Sequence, residues 1–193
     1  LQSHLGEISD HLKPPNSFRF STASSMPTLV EAIARLKAML HMSTKELRDA
    51  EPVFSFPIRI YWEDTDAGGI VYYANYFKFF ERTRTEWLRQ LGVEQGSLLA
   101  NEDSMFVVSQ TDAKYHKPAR IDDLLNITLH IKHMGQASIT LIQTAWIQDN
   151  TVSDQRMLAC ESTVRLACVQ QTSMRPSKIP LRVAELLSAK LSN

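Results

Sequence analysis

One long helical pattern followed by four strand-length runs limits the fold of this chain more than any other feature. Over residues 76–91, Phe77, Phe80, Trp87, Leu88 and Leu91 recur on one stripe with the helical period, and Gly92 is placed to end the helix. Residues 104–116, 124–134, 138–148 and 157–169 are each mostly apolar or β-branched. Pro118, Asp122-Asp123, Gly135-Gln136 and Asp149-Asn150 separate them as turn signals. Residues 53–62 carry β-branched and aromatic residues at strand length ahead of the helix. The order predicts an antiparallel α+β domain. Residues 95–101 suit a further helical turn and 181–191 a short terminal helix.

The chain has 193 residues, 44% of them hydrophobic, enough to bury a core in one domain plus an extension. Its 21 Lys and Arg balance 21 Asp and Glu. Nucleic-acid domains usually carry a basic surplus to displace counterions, so this balance argues against nucleic acid as a partner. Cys160 and Cys168 lie eight apart in one predicted strand, roughly 27 Å at about 3.4 Å per residue, too far to pair. With no CxxC and no disulfide framework, a reducing, cytoplasmic setting is expected. No apolar run reaches the roughly 18 residues of a membrane helix.

The division falls near Pro52. Residues 1–25, with a Pro-Pro and a Ser/Thr cluster, read as a mobile tail. The stretch SFRFSTASS has the composition of a transit peptide, which Glu7 and Asp10 weigh against. Thr28 and Glu31 have capping-box spacing, and Leu29, Ile33, Leu36 and Leu40 form an apolar stripe, so 28–40 is expected to be a helix packed on the main domain or on a partner subunit. Ser43 and Glu46 repeat the capping spacing before a short turn that Pro52 stops. The expected division is an extension over 1–52 and a domain over 53–193 that folds without it.

Chemistry concentrates where the first strand meets the long helix, in WEDTDAGGIVYYANY from Trp62 to Tyr76. Two glycines let backbone approach a ligand closely. The free N–H groups of a helix's first turn can receive an oxygen that gains negative charge, and an acid beside them can act as base or nucleophile. On spacing alone, the same residues also fit a helix cap at Asp64, Thr65 or Asp66 and a plain Gly68-Gly69 turn.

The string IYWEDTDAGGIVYYANYFKFFERTRTEWLRQLG, followed by FVVSQTDAKYHKPARIDDLLNI, resembles the signature of the 4-hydroxybenzoyl-CoA thioesterase family, in particular its Tol-Pal-associated acyl-CoA thioesterase branch. The resemblance covers residues 56–169. It implies a hotdog fold, a long central helix wrapped by a five-stranded antiparallel sheet, with subunits paired as a homodimer or homotetramer and active sites at their interface. It implies cofactor-free hydrolysis of a short-chain or aromatic acyl-CoA. The catalytic carboxylate falls on Asp66, which must be ionised to act as nucleophile or general base. Backbone N–H groups near the start of the Tyr72 helix are the natural oxyanion donors.

Two positions depart from the family pattern. Tyr73 matches the aromatic-pocket Tyr of benzoyl-type enzymes, whereas many members of the Tol-Pal-associated branch carry His there; the alternative is a packing aromatic. Benzoyl-type enzymes hold CoA phosphates with basic residues in a strand turn, and the corresponding turn here runs from His133 to Ser138. It offers Lys132 and His133 for charge and Ser138 as a hydrogen-bond donor, so acyl carrier protein is the alternative thioester carrier. Lys117 and Arg120 are further candidates for phosphate, or a solvated hairpin pair.

Other groups carry weaker signals. His130 and His133, three apart in a strand, face opposite sides and make a poor metal pair. No Gly-x-Ser-x-Gly elbow points to a serine hydrolase. Glu81 and Glu86 could serve a hotdog hydratase or dehydratase, though Glu81 fits a structural ion pair. A non-catalytic scaffold that engages acyl carrier protein is the third reading.

Overall fold

In the computed structural model, residues 42–148 and 156–190 are described. The expected tail over 1–25 and the helix over 28–40 lie outside these residues. The order is α1 (Thr44–Asp49), β1 (Phe54–Arg59), α2 (Asn75–Gln90), α3 (Gln95–Glu102), β2 (Ser104–Tyr115), β3 (Leu124–Met134), β4 (Ser138–Gln148), β5 (Arg156–Gln170) and α4 (Leu181–Lys190). The five strands form one antiparallel sheet in the order β1-β3-β4-β5-β2. Strands β3 and β4 fall on their expected bounds, joined at Gly135, whose N–H donates to Ser138 O at 2.8 Å. Gly92 has φ +75°, the left-handed conformation that ends α2.

Strand β1 stops at Arg59, three residues short of the expected end. The chain turns instead through a single 3-10 turn over Trp62–Asp64, because the Asp64 carboxylate accepts the Tyr61 N–H at 3.0 Å and closes the turn on itself.

The long helix α2 packs on one face of the sheet and splits the apolar interior into two clusters. Phe79, Phe80, Ile58, Ile60, Leu125, Ile127, Ala145 and Cys160 belong to one. Trp87, Leu88, Leu129, Ile131, Leu141, Val164 and Cys168 belong to the other, capped by α3 and α4 through Leu98, Val183 and Leu187. A polar contact lies between them: Arg84 Nη1 donates to Gln143 Oε1 at 2.7 Å, and Gln143 Nε2 donates to Phe80 O at 3.0 Å. Both cysteines are free and buried on β5, one in each cluster, unpaired as their spacing predicts.

The other face of the sheet carries α1. Gln143 faces α2, so its neighbour Thr144 faces away, and Glu161, in register with Thr144, faces away too. Glu161 Oε2 pairs with Arg48 Nη1 of α1 at 3.2 Å. Lys132 Nζ donates to Thr44 Oγ1 at 3.5 Å, and Leu47 has no exposed surface. The helix is short but closed by a full capping box, with Glu46 N–H on Ser43 Oγ and Ser43 N–H on Glu46 Oε2. The division expected at Pro52 therefore leaves on the extension side a helix that is already packed on the sheet.

His130 shares this outer face with Ile142 and is 1% exposed; a bulge in β3 brings His133 back to the same face, in register with Thr140 and exposed, where plain alternation predicted the opposite side. Among the described residues, no group of three potential ligands could hold a metal ion. Burial, with Arg156 nearby, holds the His130 imidazole down at about 4. The unfolded chain takes up a proton near 6.5 that the folded chain refuses until about 4, so folding stability falls as pH drops through that window. The expected slope approaches about 1.4 kcal/mol per pH unit. Denaturant titrations at pH 7, 6, 5 and 4 should show that slope in the wild type and a shallower one in His130→Leu; identical slopes would remove His130 as its source.

Candidate active site

The strand-to-helix junction is assembled from three segments tied by backbone hydrogen bonds. Past β1, Ile60 N–H donates to Asp123 O at 3.0 Å and Asp122 N–H to Ile60 O at 3.1 Å. Farther along, Val71 N–H donates to Ala119 O at 2.9 Å, and Ile70 bridges Arg120. The turn after β1, the loop before α2 and the link between β2 and β3 thus form one unit.

Within it the acids divide their work by burial. Asp64 is buried and structural: beyond closing its own turn, its carbonyl accepts the Tyr72 N–H at 2.9 Å and Asn75 Nδ2 at 3.0 Å. Thr65 Oγ1 donates to Trp62 O at 3.0 Å. Asp66 is exposed at the head of a tight loop. Gly69 N–H donates to Asp66 O, and Asp66 N–H to Ile70 O, each at 2.9 Å, while Gly69 takes φ +71°. A side chain there would be strained, which explains the glycine.

One carboxylate oxygen of Asp66 accepts the Gly68 N–H at 2.8 Å, so the group is oriented by its own loop. A Cβ on Gly68 would stand 3.1 Å from that oxygen, so another residue there would have to push the carboxylate out of this position by a few tenths of an ångström. Its second oxygen has no hydrogen-bond partner among the described residues.

No side chain caps α2. Its N-cap is Ala74, without a side-chain hydrogen bond, so none of Asp64, Thr65 and Asp66 fills the capping role. Among the described residues, no backbone acceptor meets the N–H of Tyr73 or Ala74. Free N–H groups at the positive end of a 16-residue helix favour an anionic oxygen there.

An aromatic cluster surrounds this helix start. Tyr73 is 58% exposed, 4.6 Å from Tyr72 and edge-on to Tyr115 at 6.3 Å between ring centroids. Tyr115 lies 5.8 Å from Tyr76, and its hydroxyl donates to Tyr73 O at 3.3 Å. Burial pushes the Tyr76 phenol up to about 12, so it stays protonated at neutral pH. The sequence carries Tyr115 as the first residue of the Tyr-x-x-Pro-Ala-x-x-Asp-Asp string that supports the family resemblance, with no site role assigned to it. Its position at the end of a strand just ahead of His-Lys-Pro-Ala is the signal that could have marked it.

Asp66 and Tyr73 thus share one junction, but Ser138 does not. Tyr115 is in register with Cys160 and Cys160 with Ala145, whereas Ser138 lies seven residues back along β4, roughly 24 Å at about 3.4 Å per residue. One subunit leaves Ser138 at the far end of its sheet. The helix acids are also engaged elsewhere. Glu81 accepts a hydrogen bond from Thr85 Oγ1 at 2.7 Å instead of the expected ion pair, and Glu86 pairs with Arg89. A cavity of about 420 Å³ among Arg89, Glu94, Leu98, Asn101 and Arg182 holds none of the junction residues.

A family profile described as the thioesterase superfamily matches residues 68–153. The acyl-CoA thioesterase YbgC of Haemophilus influenzae is 41% identical over 130 residues, which cover 67% of this chain and 90% of that one. The chain belongs to the thioesterase superfamily. The acyl-CoA thioesterase YbgC of Helicobacter pylori is 33% identical over 133 residues, 68% of this chain and 97% of its own length. Each span leaves about a third of this chain unmatched. Among solved structures, a probable thioesterase from Bartonella henselae superposes with a TM-score of 0.58 at 29% identity, covering 66% of this chain and 98% of that one. A mutant 4-hydroxybenzoyl-CoA thioesterase in complex with 4-hydroxybenzoyl CoA gives 0.64 at 18% identity, over 69% of this chain and 96% of that one, a likeness of fold. The hotdog architecture expected from the sequence is the one found.

Proposed function

We propose that this superfamily member hydrolyses short-chain or aromatic acyl-CoA thioesters, with Asp66 as the catalytic carboxylate and the Tyr73 and Ala74 N–H groups as oxyanion donors. The observation that carries the reading is the junction itself: an oriented, exposed carboxylate on the loop that leads into an uncapped helix start. As nucleophile, Asp66 attacks the thioester carbonyl, expels the thiolate and forms a mixed anhydride that water cleaves. As general base, it takes a proton from the attacking water. Both routes place negative charge on the former carbonyl oxygen, where the helix N–H groups are useful.

A homodimer or homotetramer suits this site. Strand β2 is a sheet edge of 12 residues with Val108 and Tyr115 exposed, a surface open to pairing with a second copy. Pairing along β2 puts the Tyr73–Tyr115 cluster at the subunit boundary. Any substrate contact of Ser138 belongs to the site of another subunit, since its own chain leaves it a strand length from Asp66.

The test is thiol release over short, branched, long and aromatic acyl-CoAs and over acyl carrier protein thioesters. Turnover of short or aromatic CoA esters is expected; a wild type inert on every CoA ester would sink this reading. For Tyr73→His we expect a shift of preference toward aliphatic acyl groups by about tenfold in relative kcat/KM, the scale of one altered pocket contact. An unchanged profile would assign Tyr73 to packing.

A further inference from the structure

Resting on the thioesterase reading, we propose that Lys117, Arg120 and Trp62 form a subsite for the phosphates and adenine of CoA on the same subunit as Asp66. The structure draws attention to this place in two independent ways. Trp62 is 77% exposed, in a turn fixed by hydrogen bonds from Asp64 and Thr65 to its neighbours and carbonyl. A large indole carried into solvent on a fixed backbone turn costs apolar exposure that folding alone does not explain, and a flat π-face suits a stacked base.

Lys117 and Arg120 lie on the link between β2 and β3, in the same junction. Arg120 is bridged to Ile70, on the loop that carries Asp66. The backbone between the two cations is pinned by Val71 N–H on Ala119 O, and Ala119 is fully buried. Both cations are exposed, and among the described residues neither is neutralised by an ion pair, a state they share with most of the Lys and Arg side chains. Two unneutralised cations on backbone tied to the loop that carries the carboxylate are suited to an anionic carrier.

The neighbouring acids limit the size of the effect without abolishing it. Asp123 turns an oxygen onto the Arg120 N–H at 2.7 Å, and Asp64 is committed to Tyr61. Glu63 and Asp122 remain to oppose the phosphates. The alternative turn from His133 to Ser138 is a strand length away in the same subunit, so the basic link between β2 and β3 is the carrier contact that one chain can make beside its own Asp66.

The test measures CoA and 3′,5′-ADP binding calorimetrically with the full chain, and the ratio of kcat/KM for an acyl-CoA to that for the matching acyl-pantetheine. The double variant Lys117→Gln, Arg120→Gln should bind both nucleotides at least tenfold more weakly and lower that ratio at least tenfold. Arg120→Lys should retain most of the binding, and Trp62→Ala should weaken it at least threefold. Nucleotide binding equal to wild type in the double variant overturns the subsite, as does a parallel loss on acyl-pantetheine, which would mark a damaged loop. Loss confined to acyl carrier protein thioesters overturns it in favour of a protein carrier. A wild type that cleaves acyl-CoA while the variant binds CoA normally sinks the subsite alone; a wild type that neither binds CoA nor cleaves any thioester sinks the thioesterase reading with it.

Discussion

Asp66→Asn should lower acyl-CoA turnover by at least about a thousandfold while moving Tm by no more than about 2 °C. Positioned acid–base groups contribute about 10²–10⁴-fold, and an amide can neither deprotonate water nor form an anhydride at a useful rate. The fold should be spared because Asp66 is exposed and its oxygen only accepts the Gly68 N–H, an acceptor role that the Asn amide oxygen repeats. The Asp66 N–H and carbonyl, which close the loop, are untouched. Thiol release beside thermal unfolding separates the outcomes. A variant that keeps more than a tenth of the wild-type rate would remove Asp66 from the mechanism. One that unfolds early would give the carboxylate a structural role instead.

Phe79→Ala should cost about 4 kcal/mol, the range of a large-to-small change that leaves a cavity in a close-packed core. Phe79 has no exposed surface and sits edge-on to Tyr76 at 5.9 Å, in the cluster with Ile60 and Val71 beneath the junction. At the scale of a domain this size, the loss lowers Tm by roughly 10 °C. The gap opens directly under the helix start, and Tyr76 touches Tyr115, which bonds to the Tyr73 carbonyl. Activity measured well below the new Tm should therefore also fall, by a larger factor than for an apolar truncation in the far cluster such as Leu187→Ala. A denaturant loss under 1 kcal/mol would mean that the neighbours close over the site and that Phe79 is not what holds the junction in place.

The elements themselves were legible because their patterns are local. Alternation and turn residues gave β3 and β4 on their observed bounds, and the stripe through Phe80, Trp87 and Leu88 marked α2 to within one residue. Strand β1 was overdrawn because a run of Ile60, Tyr61 and Trp62 has strand propensity, and the carboxylate that bends it away, Asp64, acts from three residues on. Sequence placed four polar residues, Glu63 to Asp66, in one suspect string. It did not say which is buried.

By itself, the sequence determined the antiparallel α+β class and the position of the long helix, and it singled out the Asp-Ala-Gly-Gly junction as the candidate place for chemistry, since hydrophobic period and turn chemistry act over a few residues. Tertiary structure alone decided that Asp64 is a structural knot and Asp66 the open carboxylate. It also decided that Ser138 lies a strand length from Asp66, and that Arg120 stands against the Asp66 loop. Those facts depend on strand order and register, which bring residues 60, 70 and 120 together through long-range backbone hydrogen bonds. Pairing of that kind follows from the burial of a whole sheet face, and no local pattern of residues encodes it.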